Sequence, residues 1–280
     1  MVDTHTHILH GVDDGCVDLD AALEMARQAH TKGVTGICAT PHLLWKDREP
    51  LDSGEIGELL EELQEFLTLN RCPVHVYAGC EIPLELDLVP EVTAGRWASY
   101  GGHGKAVLVE PPFESFPNNG LDKLRELMSA GIQPVLAHPE RCRWFQEDHR
   151  RFDQAVNTGA LLQVTVSSLR ADRASKPVYD AAMFLLQEGL CGVVASDAHN
   201  TRSRGIEMDR GAEILSQLVN DRVSSLLTQT VPTWLVTGQP VNHSEIYDSY
   251  RSAGDDAESG GWLQRLLGRF RKRRPTDDDW

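Results

Sequence analysis

The chain has 280 residues, of which 41% are hydrophobic, so it is long enough for one large α/β domain or two small domains with a buried core. Its formal net charge of −15 argues against a nucleic-acid-binding domain. No apolar run reaches the length of about 18 residues that spans a membrane, and no basic and then apolar segment opens the chain, so we expect a cytoplasmic protein without a transmembrane helix or a secretory signal.

Short apolar runs rich in β-branched residues alternate with amphipathic stretches, which is typical of parallel strands joined by crossover helices. Seven runs are predicted to be strands, namely residues 2–7, 34–42, 74–82, 106–111, 133–139, 161–167 and 191–199. Seven strand–helix units fit a closed or nearly closed barrel. An open doubly wound sheet is the alternative.

The stretches between these strands show the spacing of amphipathic helices. The predicted helices are residues 18–30, 55–69, 121–130, 149–158, 177–188 and 206–219. Asp18 is a suitable N-cap for the first helix, whose Leu23, Ala26 and Ala29 share one face.

The first predicted strand carries His5 and His7, and residues two apart on a strand point to the same side of the sheet. The two imidazoles can therefore bind one divalent metal ion. Asp13 and Asp14 follow in a turn closed by Gly15, which brings carboxylates toward the same ion. Imidazole and carboxylate together suit zinc, manganese or iron.

Almost every predicted strand ends in a residue of a type that binds metal. These residues are His5, His7, His42, Glu81, Glu110, His138, Asp197 and His199. In a parallel barrel the C-terminal ends of all strands open onto one face, where barrel active sites form. The repetition at six of the seven strand ends favours one shared metal centre over unrelated polar residues.

The order of the motifs His-x-His, Thr-Pro-His, Gly-x-Glu-Ile, His-Pro-Glu-Arg and Ser-Asp-Ala-His-Asn resembles the PHP (polymerase and histidinol phosphatase) superfamily. The Asp-Asp-Gly turn and the last two motifs look like those of bacterial manganese-dependent protein tyrosine phosphatases from capsular and exopolysaccharide gene clusters. The resemblance covers about residues 1–238. It implies a distorted (β/α)7 barrel of the PHP type, three bound metal ions and hydrolysis of phosphotyrosine, with a membrane tyrosine autokinase as the expected substrate.

The resemblance also implies which residues bind each ion. The implied ligands of the three ions are, in order, His5, His7, Glu81 and Asp197; Glu81, Glu110 and His138; and Asp14, His42 and His199. Manganese is the expected ion, with iron or zinc as alternatives. Asp14 is preferred to Asp13 as the ligand, and the other acid is expected to orient a ligand or to cap the next turn.

Bound divalent ions would keep the site cationic within an acidic protein and would lower the pKa of water from about 16 toward about 7. Arg141 and Arg204 follow two of the histidine motifs and are predicted to bind phosphate oxygens, since a guanidinium matches them in geometry. Together with Asp14 they are the candidate catalytic residues. Arg202 is the rival of Arg204.

Three further residues are candidate substrate contacts. Phe113 and Phe116 follow the fourth strand and are candidates for stacking on a tyrosyl ring, with core packing as the alternative. His10 lies close to His7 in the same loop. The polar residues 45–54 are predicted to form one rim of the site.

The six cysteines argue against a thiol-based phosphatase, which needs an arginine six positions after the nucleophilic cysteine. None of them has one; Cys142 is followed there by Asp148 and Cys191 by Asp197. They also lack paired C-x-x-C spacing, so we expect reduced and mostly buried thiols in a cytosolic protein.

Two other functions are weighed against the phosphotyrosine hypothesis. A PHP phosphoesterase for a small metabolite, such as histidinol phosphate, would have a deep and lidded site, whereas a phosphoprotein needs an open one. A non-catalytic regulator that binds phosphoproteins would have lost metal ligands, and here the set is complete.

The C-terminal segment differs in composition from residues 1–251, which are predicted to form the phosphatase barrel. Residues 252–261 are rich in Gly, Ser, Asp and Ala and are predicted to be a flexible linker. Residues 262–280 form a basic tail, in which residues 262–274 combine a short apolar helical face with clustered arginines. This part is a candidate for peripheral contact with an anionic membrane, and a solvated tail is the alternative.

Overall fold

The computed structural model describes residues 1–255, with side chains up to residue 252. The predicted basic tail lies outside the described residues, as does the predicted linker beyond residue 255. The strands of the described part are β1 (Val2–Thr6), β2 (Gly36–Ala39), β3 (His75–Tyr77), β4 (Glu81–Pro83), β5 (Ala106–Glu110), β6 (Gln133–Ala137), β7 (Leu161–Thr165) and β8 (Cys191–Ala195).

The third predicted strand is divided into β3 and β4, so the described residues contain eight strands where the sequence predicts seven. Gly79 lies in the interruption. A Cβ added there would lie 2.7 Å from Cys38 Sγ, so the backbone passes too close to β2 for any larger residue.

All strand pairs are parallel, in a sheet of order β1-β2-β3 and a second sheet of order β4-β5-β6-β7-β8. Backbone hydrogen bonds join the two sheets, one near the C-terminal ends of β1 and β8 and one between the segment after β2 and the start of β4. The Asp197 N–H donates to the His5 carbonyl at 2.9 Å, and the Glu81 N–H donates to the Pro41 carbonyl at 2.9 Å. The predicted parallel α/β architecture is thus confirmed, and both connections lie beside the predicted metal ligands.

Helices alternate with these strands. They are α1 (Leu19–Thr31), α2 (Ser53–Leu69), α3 (Leu88–Thr93), α4 (Gly120–Ser129), α5 (Arg143–Glu147), α6 (Arg150–Val156), α7 (Lys176–Gln187), α8 (Met208–Leu218), α9 (Asp221–Ser225), α10 (Val231–Thr237) and α11 (His243–Asp255). The Asp18 carboxylate accepts a hydrogen bond from the Ala21 N–H at 2.8 Å, which confirms it as the N-cap of α1. α11 extends into the first residues of the predicted linker.

The core lies between the strands and the helices around them. β7 and β8 are buried along their whole length, as expected for parallel strands covered on both faces. The predicted apolar face of α1 is buried, and Leu63 of α2 is fully buried. Burying one leucine of this kind contributes about 1.5–3 kcal/mol to the free energy of unfolding. Packing of the helices against the strands therefore stabilises the positions of the strand ends. Between residues 1 and 255, no helix has both the length and the apolar character that a membrane span requires.

Candidate metal centre

His5 and His7 lie at the C-terminal end of β1 with fully buried rings. Their Nε2 atoms are 3.3 Å apart. His5 Nδ1 is 3.0 Å from Gln163 Oε1, and His7 Nδ1 is 2.7 Å from Asp13 Oδ2. Because these oxygens accept, each Nδ1 donates its hydrogen, and the Nε2 of a neutral ring keeps its lone pair. Two lone pairs that face each other form a site for a cation.

Glu81, the first residue of β4, lies at the centre of the histidines and is 1% exposed. Its carboxylate oxygens approach a ring nitrogen of four histidines, at 3.0 Å for His138, 3.1 Å for His42, 3.3 Å for His5 and 3.4 Å for His7. A buried carboxylate between four imidazoles has the position that a ligand bridging two ions requires.

Asp13 and Asp14 point in different directions. Besides holding His7, Asp13 accepts from the His42 N–H at 3.0 Å. Asp14 Oδ1 lies 3.2 Å from His199 Nε2 and 3.6 Å from His42 Nε2. His199 Nε2 is buried without a hydrogen bond to the described residues, so it is free to bind a metal. This geometry favours Asp14 as the ligand and Asp13 as the residue that orients His7.

Asp197 and Glu110 complete the group from the ends of β8 and β5. Asp197 Oδ1 lies 3.5 Å from His5 Nε2 and 3.4 Å from His7 Nε2. Glu110 lies slightly farther out, with Oε1 3.9 Å from His138 Nε2. The structure therefore brings all the predicted ligands together.

The backbone at this centre is tightly constrained. His138 and Asp197 have φ angles of 30° and 54°, in the left-handed region that favours glycine. A Cβ added at Gly15 would lie 2.0 Å from the His7 carbonyl oxygen, so only glycine lets the turn that carries Asp14 approach β1 so closely. Such strain persists only where the surroundings enforce it, and it is concentrated at functional sites.

Among residues 1–252, three groups of side chains have ligand atoms within 4.8 Å of one another. They are His7, Asp14, His42 and His199; His5, His7 and Glu81; and His42, Glu81 and Glu110. They correspond broadly to the predicted third, first and second ion positions, although His138 and Asp197 fall outside them. These nitrogen and oxygen donors fit a divalent transition metal.

The charges of two carboxylates and of one histidine agree with that fit. Burial favours a raised pKa for Glu81 and Asp197, but the charge of His5 and further partners outweigh it and hold the pKa of both carboxyls well below its usual range. Burial and the charge of His7 lower the pKa of His199 to about 3, so this ring is neutral at pH 7.

Three other rings of the centre are protonated more readily than a free histidine. Burial lowers the pKa of His7, His42 and His138, but hydrogen bonds to Asp13 and Glu81 outweigh it and raise the pKa of all three rings. Because ionised carboxylates and neutral imidazoles are the forms that bind metal, an ion bound here would displace protons from these rings.

Arg141 and Arg204 both reach the centre. Arg141 Nη1 donates to Asp197 Oδ2 at 2.6 Å, and Arg204 Nη2 donates to the same oxygen at 3.1 Å. Arg204 Nη1 is also 3.5 Å from Asp14 Oδ2. Arg202 is exposed on the neighbouring turn. The position of Arg204 therefore suits the predicted role better than that of its rival.

The three candidate substrate contacts lie in different environments. Phe116 is only 9% exposed and stacks on Trp144 at 4.6 Å, so core packing is the correct interpretation for this residue. Phe113 remains 48% exposed, with its ring 5.6 Å from that of His138. His10 Nε2 lies 3.5 Å from the Glu62 carboxylate of α2.

Comparison with known proteins identifies the family. A family model for capsular polysaccharide synthesis, CpsB/CapC, matches residues 1–236. The chain belongs to the CpsB/CapC family.

Individual members of the CpsB/CapC family match over most of their length. The chain is 31% identical to CapC of Staphylococcus aureus over 245 residues, covering 88% of this chain and 92% of CapC. It is 32% identical to the tyrosine-protein phosphatase YwqE of Bacillus subtilis over 232 residues, covering 82% of this chain and 89% of YwqE. A crystal structure from work on YwqE and on CpsB of Streptococcus pneumoniae, described as metal-dependent tyrosine phosphatases, matches with a TM-score of 0.82 and 28% identity, covering 86% of this chain and 96% of that one.

The cysteines of this CpsB/CapC protein are all free and buried, as expected. Burial raises the pKa of Cys16 and of Cys191 to about 12, and it raises the pKa of Cys80 well above its usual range. These thiols therefore stay protonated at neutral pH and are poor nucleophiles.

Treatment of the native protein with iodoacetamide is expected to leave phosphatase activity intact, because no buried thiol reacts readily and none lies in the catalytic group. Mass spectrometry gives the extent of labelling, and initial rates give the activity. Inactivation in step with the labelling of one cysteine in folded protein would contradict this expectation.

Gln163 is a site residue that the sequence analysis missed. It is fully buried in β7 and fixes the tautomer of His5 through its Oε1. The signal was available, since Gln163 is an amide within the otherwise apolar first four residues of that strand.

Gln163→Leu is expected to lower metal affinity roughly tenfold to a hundredfold, as the loss of a hydrogen bond that orients a ligand typically does. Calorimetric titration of metal-free protein measures the affinity. Gln133→Leu is the matched control, because Gln133 begins β6 at the opposite end of the strands and donates to the Gly159 carbonyl at 2.8 Å. Equal metal affinities of Gln163→Leu and the wild type would show that Gln163 does not support metal binding.

Proposed function

We propose that this protein is a metal-dependent protein tyrosine phosphatase that serves capsular or exopolysaccharide synthesis. The observation that carries the proposal is the buried group of histidines and carboxylates around Glu81, with Arg141 and Arg204 beside it. The naming of relatives as tyrosine-protein phosphatases and the metal dependence described for the matching structure support it.

We infer three divalent ions, with manganese as the expected metal. The ligands would be His5, His7, Glu81 and Asp197 for the first ion, Glu81, Glu110 and His138 for the second, and Asp14, His42 and His199 for the third. Ions bound there supply positive charge for the phosphate dianion and lower the pKa of the attacking water.

The two arginines are suited to hold the phosphate. Arg141 and Arg204 donate to one oxygen of Asp197, so both guanidinium groups already point at the centre before a substrate binds. Donors fixed in advance need little reorganisation during the reaction, and this is a large source of catalysis. The tyrosyl oxygen, with an ordinary pKa of about 10, leaves more readily than an alkoxide.

We also infer that the two sheets belong to one distorted (β/α)7 barrel of the PHP type, with β3 and β4 counted as one unit. The backbone connections at Glu81 and Asp197 support this inference, because they join the two sheets on two sides of the same group of ligands. A barrel of this kind places every ligand on the face where its strands end.

The inferred substrate is a phosphotyrosine protein, and we propose a membrane tyrosine autokinase of the same polysaccharide system, acted on from the cytoplasm. The names of the relatives, which join tyrosine phosphatase activity with capsule synthesis, support the substrate class. Membrane contact through residues 262–274 stays a prediction, since that segment lies outside the described residues.

A direct test compares the hydrolysis of a phosphotyrosine peptide, the matched phosphoserine peptide and histidinol phosphate, each with and without added manganese. We expect the phosphotyrosine peptide to be the best substrate and its hydrolysis to need the metal. The small-metabolite phosphoesterase is the alternative, and a preference for histidinol phosphate would establish it instead.

A further inference from the structure

Phe113 is an exposed aromatic side chain beside the metal centre. It follows the end of β5, is 48% exposed, and lies with its ring 5.6 Å from the ring of His138. Its carbonyl accepts from the Arg143 N–H at 2.7 Å, so the backbone is fixed although the side chain faces solvent. One exposed apolar side chain is ordinary on a protein surface, and it indicates a binding site only together with further apolar surface nearby.

Trp45 lies in a similar position on the loop after β2. Its ring stacks on that of His42, with centroids 5.3 Å apart and planes only 5° from parallel. The neighbouring Leu44 is 42% exposed, and Lys46 Nζ lies 5.1 Å from the centroid of the tryptophan ring. This loop therefore adds apolar surface and a positive charge next to the candidate site.

The rings of Trp45 and Phe113 lie next to two different histidines of the metal centre. His42 and His138 approach different oxygens of Glu81, at 3.1 Å and 3.0 Å, so these two histidines stand on either side of this carboxylate. Trp45 packs on the first histidine and Phe113 packs near the second. An apolar wall thus adjoins each flank of the centre that would hold a phosphate.

We propose that Phe113 and Trp45 form an aromatic clamp that receives the phenyl ring of phosphotyrosine and selects aryl over alkyl phosphate esters. This inference rests on the proposed function and explains how the enzyme would select aryl phosphates. In an aryl phosphate a single oxygen separates the ring from phosphorus. With the phosphate among the ligands, the ring lies just outside the histidines, at the level of the two aromatic side chains.

The clamp gives no comparable benefit to an alkyl ester. A methylene group and a peptide backbone occupy that space in phosphoserine, and they make no ring–ring contact. One aromatic pair contributes roughly twofold to tenfold in binding beyond the apolar area that it buries. The clamp therefore changes the ratio between aryl and alkyl ligands, whereas loss of a metal ligand would weaken both.

The test measures the binding of phenylphosphonate and ethylphosphonate to metal-loaded protein by calorimetry, because phosphonates bind without being hydrolysed. The variants are Phe113→Ala, Phe113→Leu and Trp45→Ala, with metal content measured for each. Phe113→Leu keeps an apolar side chain and removes only the ring. Leu69→Ala is the control, since Leu69 is a 75% exposed apolar residue at the last position of α2, away from the strand ends.

We expect the phenylphosphonate Kd to rise about twofold to tenfold in each Phe113 variant and in Trp45→Ala, with a clearly smaller change for ethylphosphonate and none in Leu69→Ala. Equal changes for both phosphonates, or no change for either, would overturn the clamp. Hydrolysis of phosphotyrosine by the wild type is measured in parallel. If the wild type hydrolyses it and the variants keep the wild-type binding ratio, the clamp fails and the proposed function stands. If the wild type does not hydrolyse phosphotyrosine, the proposed function fails, whatever the binding of the phosphonates shows.

Discussion

Glu81→Ala is expected to remove most of the bound metal and to lower turnover by more than about a hundredfold. Glu81 is the carboxylate that four histidines approach, so its loss affects more than one ion position at once. Loss of a residue that only orients a ligand costs about tenfold to a hundredfold, and a bridging ligand should cost more.

Metal content per chain and the rate on a phosphotyrosine peptide are measured on the same preparation. Glu81→Gln keeps the shape and removes the charge, so it separates lost ligation from a cavity in the core. Glu85→Ala is the matched control, because Glu85 is exposed four residues further along. An unchanged metal load in folded Glu81→Ala would show that Glu81 is not a ligand.

Arg141→Ala is expected to lower kcat on the order of a hundredfold while leaving the metal content intact. The Arg141 guanidinium lies 2.6 Å from Asp197 and is largely buried, so it is held close to the place where the phosphate would bind. Arg204→Ala should also lower the rate. Its effect should be smaller, because that side chain is 44% exposed and more distant, at 3.1 Å.

The controls for the arginines are Arg202→Ala and Arg143→Ala. Arg143 is 65% exposed and pairs with Glu147 on α5, away from the ligands. Steady-state kinetics give kcat and KM, and metal analysis gives the load. Normal turnover of Arg141→Ala with normal metal content would clear Arg141 of a role in the reaction.

The strand ends were the most predictable part of the molecule. Ligands such as His42 and His138 follow apolar runs directly, and a parallel sheet brings the ends of such runs to one side. Periodicity likewise predicted α1 and α2, because each has an apolar face, but only the capping aspartate of α1 was predicted; Asp52, which caps α2, was not.

Other features depend on contacts between distant residues and leave little local signal. Gln163 contacts His5 across 158 positions of sequence, so only the fold brings them together. The division of the third strand follows from the close approach of Gly79 to Cys38, which a continuous pattern of strand residues does not reveal. The short helices α3 and α5 and the helices α9 to α11 were also missed.

The tertiary environment also decides between similar residues. Phe113 and Phe116 are of the same type and three positions apart, yet one is exposed beside the centre and the other packs in the core. The sequence could not separate Asp13 from Asp14 by pattern alone. The close approach of Gly15 to β1 sets the direction of each carboxylate.

Removal of the metal is the decisive experiment, because hydrolysis of phosphotyrosine is proposed to depend on metal bound around Glu81. Protein is stripped with a chelator, its metal content is verified by mass spectrometry, and the rate on a phosphotyrosine peptide is measured before and after manganese is restored. We expect background activity without metal and recovery of the rate on reloading with manganese. Full turnover of protein verified to contain no metal would contradict this dependence on metal.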